Sequence, residues 1–195
     1  MEPNNWTIPG TTIQIKRTDA SRVDGLFTSM FMAGGIVLSQ VSSITGLEPY
    51  TIQNWVKRGF LSPPQHKRYS MGQLCRIISI NMLKSVLPLE TICSLLGYIN
   101  GQLDSEEDDI IDDAKLYFLF VRLAGIAREL DDEQALRQAL DTALEDYVEP
   151  VPGARERIEK ALKIMLTAWV AARMRLNAEQ MFRDLETNKG DAKNV

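Results

Sequence analysis

The chain is poor in the residues that most often carry chemistry. Its 195 residues include one histidine, His66, and two cysteines, Cys75 and Cys93. One imidazole and no clustered thiols leave a metal site without its usual ligands. General-base chemistry likewise has few candidates. There is no Gly-rich phosphate loop, no nucleophile elbow and no His/Glu pair at helical spacing. Ser42, Ser43 and Ser79 have no visible base beside them. The expectation is no catalytic residue, no metal and no cofactor. No run of ~18 or more apolar residues occurs, so no membrane-spanning helix is expected. A basic-then-apolar leader is also missing. The cysteines fall in helical patterns and read as small buried hydrophobes in a reducing compartment, which places the chain in the cytoplasm.

The net charge of −4 is unevenly spread. Gly35 to Gly101 holds six Lys and Arg against two acids, whereas Gln102 to Val195 holds 13 against 21. A basic head on an acidic body is the asymmetry of a nucleic-acid-binding chain. The head is only weakly basic, so specific binding would need two heads acting together.

Within the head, Leu38 to Tyr69 reads as helix, tight turn, second helix and a short basic excursion. Ser39 is a candidate N-cap. Val41 and Ile44 give the first helix an apolar stripe, and Gly46 ends it. Pro49 suits the first position of the second helix. There Ile52, Trp55 and Val56 share one face and pack inward. Tyr50, Thr51, Gln53, Asn54 and Lys57 are left outward, a set without a carboxylate. Asn and Gln can pair with an adenine edge in the major groove, and Lys or Arg can reach guanine or phosphate. The plain alternative is an ordinary solvent face. After Arg58, Pro63 and Pro64 force extended chain. A two-stranded wing follows, with His66 as a polar tip residue, Lys67 and Arg68 on phosphates, and Tyr69 at its end.

The run KRGFLSPP, then KRYS, then LPLETICSLLGYI resembles the DNA-binding domain of MerR-type transcription regulators over about residues 37–100. The resemblance implies a winged helix-turn-helix on double-stranded DNA, a homodimer, a contact with RNA polymerase and an effector, here unknown, bound by the body. Gln53 stands where that family has an arginine, and the wing is shorter.

The rest is helical. Trp6, Ile8, Ile13 and Ile15 suggest an extended arm turning at Pro9-Gly10, followed by a short helix over Leu26–Met32. Ser70 with Gln73 forms a capping box for a helix to Leu83, and Pro88 opens the next. Gln102–Asp113 reads as an acidic linker, since it lacks the ligand order of a calcium loop. Helices are expected over Ala114–Leu130, from an Asp131/Gln134 capping box to Tyr147, and over Ala154–Glu186. In the last, Ile158, Leu162, Met165, Trp169, Ala172 and Leu176 alternate at four and three. That seam pairs two chains or packs within one; we take it as the dimerisation seam. Tyr117, Phe118, Phe120, Tyr147 and Trp169 read as core.

The expected organisation is mainly α: an arm (1–34), a winged helix-turn-helix head with a short β-hairpin wing (35–101), a linker (102–113), a helical body with a long dimerisation helix (114–186) and a disordered tail (187–195). The expected function is a dimeric, sequence-specific DNA-binding regulator. The alternative is a protein-interaction adaptor that kept the fold and lost DNA binding.

Overall fold

The N-terminal segment folds back on itself. Asn5–Thr7 (β1) pairs antiparallel with Gln14–Lys16 (β2), with Trp6 opposite Ile15. At the turn Gly10 has φ 75°, and a Cβ there would stand 2.6 Å from the Ile78 carbonyl oxygen. Only glycine lets the backbone come that close. The segment is no loose arm. Ile8 is fully buried, Tyr117 Oη donates to the Pro9 carbonyl at 2.8 Å, and Asn81 Nδ2 donates to Gly10 at 3.0 Å. A 3₁₀ helix over Arg17–Arg22 leads into Val23–Phe31 (α1). The computed structural model describes residues 5–101, 103, 109–127 and 133–191, with side chains up to 185.

Next come Ile36–Val37 (β3), Leu38–Thr45 (α2), Pro49–Lys57 (α3), Arg68–Tyr69 (β4), Met71–Leu83 (α4) and Leu89–Asn100 (α5). The last are Asp113–Gly125 (α6), Glu133–Ala143 (α7) and Ala154–Asp191 (α8). The fold is mainly helical, with two small antiparallel two-stranded sheets among the described residues. No described helix is long and apolar enough to cross a membrane.

The caps explain where helices start. Ser70 Oγ accepts from Gln73 N at 3.2 Å and Gln73 Oε1 accepts from Ser70 N at 2.9 Å, the reciprocal pair expected for α4. Ser39 does not cap α2. The cap falls two residues earlier, at Val37, and Gln40 Oε1 accepts from Val37 N at 3.0 Å. Asp112 Oδ1 caps α6 by accepting from Ala114 and Lys115 N. The proposed Asp131 cap lies outside the described residues. α6 ends at Gly125, short of Leu130, α7 ends short of Tyr147, and α8 runs past Glu186 to Asp191. Residues 192–195 of the expected tail lie outside the described residues.

One core joins head and body. α4 packs most extensively on α6, and α8 lies against α4, α5 and α6. Phe27 meets Phe118 edge-on at 5.5 Å, and Phe120 meets Trp169 edge-on at 6.0 Å. The expected boundary at 102–113 therefore separates no two cores. Ile110 and Ile111, at its end, are buried, and Tyr147 Oη donates to the Ile110 carbonyl at 2.6 Å. Residues 102 and 104–108 of that stretch are outside the described set.

The seam of α8 is corrected most. Ile158, Leu162 and Met165 are fully buried in their own chain, and Trp169 and Ala172 nearly so. Of the six, Leu176 alone is exposed. The heptad spacing is real, but α4, α5 and α6 of the same chain take the place of the expected partner.

Candidate nucleic-acid interface

α2 and α3 are set by their connection. Gly46 adopts the left-handed conformation (φ 68°, ψ 11°) and ends α2. Ser42 Oγ donates to the Leu47 carbonyl, and Thr12 N donates to the Ile44 carbonyl at 2.8 Å, so both β1–β2 segment and turn hold the end of α2. Pro49 occupies the first turn of α3 as expected. Ile52 and Trp55 are buried and Val56 half-buried, so α3 turns its apolar face inward. Lys84 lies over the Trp55 ring, Nζ at 5.8 Å, and burial there lowers its pKa.

That placement leaves Tyr50, Gln53 and Lys57 exposed, with Thr51 and Asn54 half-exposed beside them. All five sit on the outer side of α3. Arg58 is exposed too, but it is engaged. Its Nη2 pairs with Glu90 Oε1 at 2.7 Å, and its guanidinium stacks on Phe60 at 4.4 Å. Exposed pairs of this kind are weak and exchange readily for other anions.

The loop after α3 has its own logic. His66 and Lys67 both have positive φ, 49° and 63°, and Arg68 N donates to the Gln65 carbonyl at 2.8 Å. Two left-handed central residues closing such a bond make a type I′-like turn. Asn-Gly is the comfortable pair for it; His-Lys is strained, which no feature of the sequence disclosed. β4 then pairs with β3, Val37 opposite Arg68 and Ile36 opposite Tyr69, rather than with a long strand of its own loop. The loop contributes a single bridge, Gln65 to Arg68.

The structure separates the loop residues by role. His66 and Lys67 are exposed at the tip. Arg68 Nη1 is tied to its own chain, donating to the carbonyls of Gly34 and Gly35 at 3.2 and 2.8 Å. Tyr69 is 3 % exposed and belongs to the core; it cannot touch a ligand on this face. Burial raises its pKa. Arg76 is also buried. Its Nη1 pairs with Asp113 Oδ2 at 3.3 Å and its Nε donates to the Phe60 carbonyl at 3.2 Å. Burial raises the Asp113 pKa, against the lowering effect of Arg76.

Two residues that shape the site were missed. Gln73 caps α4 with Oε1 while its Nε2 donates to Ser62 O, Ser62 Oγ and Pro63 O at 3.0–3.1 Å, pinning the loop. The first half of that role was visible in the capping box; the second was not. Glu90 lies 32 positions from Arg58, and no local pattern pairs them.

Residues 35–120 match the family described as "Domain of unknown function (DUF1836)". The chain is also similar to the "Uncharacterized protein YkrK" of Bacillus subtilis (strain 168), 27% identical over 118 residues. That match covers 58% of this chain and 49% of the relative, about half its length. No solved structure matches. The resemblance to MerR-type regulators is therefore overturned, since the matching family is a different one. The matched span also passes Asn100 and ends within α6, so it includes a helix that packs on α4. The short runs behind the resemblance encode a turn, a cap and two core faces, which unrelated chains can share.

Proposed function

We propose that this chain is a sequence-specific DNA-binding transcription regulator. In this reading α2, the Gly46–Glu48 turn and α3 act as a helix-turn-helix, with α3 in the major groove and the Pro63–Arg68 loop as a wing on the flanking backbone. The observation that supports it is the outward face of α3, where Tyr50, Gln53 and Lys57 stand exposed with no carboxylate among them. Carboxamides there suit an adenine edge, and Lys57 and Lys67 suit phosphates. Two copies would offer two such helices to paired half-sites. The far end of α8 supports pairing of chains: Met174, Ala178, Met181 and Leu185 are exposed and spaced four, three and four. A contact with RNA polymerase and an effector in the body rested on the overturned resemblance alone, and neither is retained.

A second reading, a protein-interaction adaptor, is favoured by one observation. Arg58 and Arg68, two of the four cations of this face, are engaged by Glu90 and by the Gly34 and Gly35 carbonyls. Selection of bound duplexes from a random pool separates the two. Enrichment of paired half-sites is expected of the regulator. Failure of the folded chain to enrich any sequence would favour the adaptor.

A further inference from the structure

α8 carries a second line of side chains besides the one it buries. Ile164, Thr167, Ala171, Met174, Ala178 and Met181 alternate at three and four, and all are exposed. At about 3.6 residues per turn, this line lies roughly half a turn around the helix from Ile158, Leu162, Met165 and Trp169, which face the body. Ile164, Met174 and Met181 are 46, 68 and 69 % exposed, too much for large apolar groups on a face that stays in water. Two opposite charges flank the line on one side of the helix, Lys163 before Ile164 and Asp184 three residues after Met181. They are about 31 Å apart along α8 and cannot meet within it. Asp184 accepts from Gln180 Nε2 at 2.7 Å, a neutral donor that leaves its charge unmet.

We propose that a second copy of this chain covers the line, with its α8 antiparallel, about a two-fold axis passing between Ala172 and Arg173. An interface between identical chains must be self-complementary, residue i meeting j and j meeting i. Folded about that axis, the line meets this condition. Ile164 packs on the partner's Met181, Thr167 on the partner's Ala178, and Ala171 on the partner's Met174, so small side chains sit beside large ones at the centre. Lys163 then stands beside the partner's Asp184, and the same pair recurs at the other end. Parallel pairing in register would instead set Ala171 against the partner's Ala171 and leave Lys163 beside the partner's Ala168. The inference deepens the pairing of chains in the proposed reading and rests on that part of it; it needs no DNA.

The test is sedimentation of the full chain over a concentration series, where a monomer–dimer equilibrium is expected. Lys163→Glu or Asp184→Lys alone sets like charges together at both ends and should weaken the dimer about fivefold or more. The two together should restore it to within about twofold of the parent. Met174→Ser should weaken it about tenfold or more. Leu176→Ser, equally a loss of an exposed apolar group but on the opposite face, should change it by less than about twofold. A chain that stays monomeric throughout the series, charge reversals that do not restore each other, or equal losses from Met174→Ser and Leu176→Ser would each overturn the proposal. A dimer that behaves as expected while enriching no duplex would support this inference and count against DNA binding, so the two fail separately.

Discussion

The two halves of α8 carry the same kind of side chain at the same kind of spacing and meet opposite fates. From Ile158 to Ala172 the apolar stripe is buried against α4, α5 and α6. From Met174 to Leu185 an equivalent stripe is exposed. Heptad spacing therefore says that a face wants cover, and only the surrounding elements say what covers it. The arginines repeat the lesson. Arg76 is buried and bonded to Asp113, whereas Arg58 holds an exposed pair that solvent weakens.

The largest break in this contrast should come from Leu162→Ala. A fully buried leucine leaves a cavity, and the loss should be about 3–5 kcal/mol in denaturant unfolding. A loss under about 1 kcal/mol would mean that the inner half of α8 is not core.

Arg76→Met should cost about 3 kcal/mol, since it leaves the Asp113 carboxylate buried without its cation. The effect should depend on pH. Burial already raises the Asp113 pKa, and removal of Arg76 raises it further. A carboxyl with a raised folded pKa is protonated first in the folded state, so the variant should gain stability as pH falls through that pKa and lose it as pH rises. Unfolding midpoints across acidic to neutral pH measure this, and a flat difference from the parent would sink it.

A smaller effect of opposite sign is expected at the loop tip. His66→Asn with Lys67→Gly gives the left-handed turn residues that tolerate it. The melting temperature should rise by about 2–4 °C, corresponding to roughly 1 kcal/mol. A fall would show that His66 and Lys67 are held there by contacts rather than strained.

The smallest change in stability belongs to the outer half of α8. Met181→Ser with Phe182→Ser should leave the unfolding energy of the chain within about 0.5 kcal/mol. Self-association, followed by sedimentation, should weaken. If stability drops with the inner half instead, the two halves do not differ as described.

Local signals in the sequence located much of the fold. The Gly46 stop, the Pro49 start, the Ser70/Gln73 box and the inward turn of Ile52 and Trp55 each depend on a few neighbouring residues, and each is present. Features set by distant residues were not legible. The burial of Tyr69, the pairing of β3 with β4, the Arg58–Glu90 and Arg76–Asp113 pairs, and the cover over Leu162 all join segments far apart in the chain. The positive φ of His66 and Lys67 was hidden for another reason: that region is uncommon for any residue but glycine, and the loop tip carries neither the Gly nor the Asn that signals such a turn. The outer face of α3 was read correctly as exposed at Tyr50, Gln53 and Lys57.

The most direct measurement of the DNA-binding reading is the salt dependence of duplex affinity for the parent chain and for Lys57→Ala with Lys67→Ala. Affinity of the parent should fall steeply with salt. Loss of two phosphate contacts should flatten the log–log slope by about 2 per chain, at roughly 0.9 per contact. A parent that binds no duplex at low salt, or two proteins with equal slopes, would contradict the account.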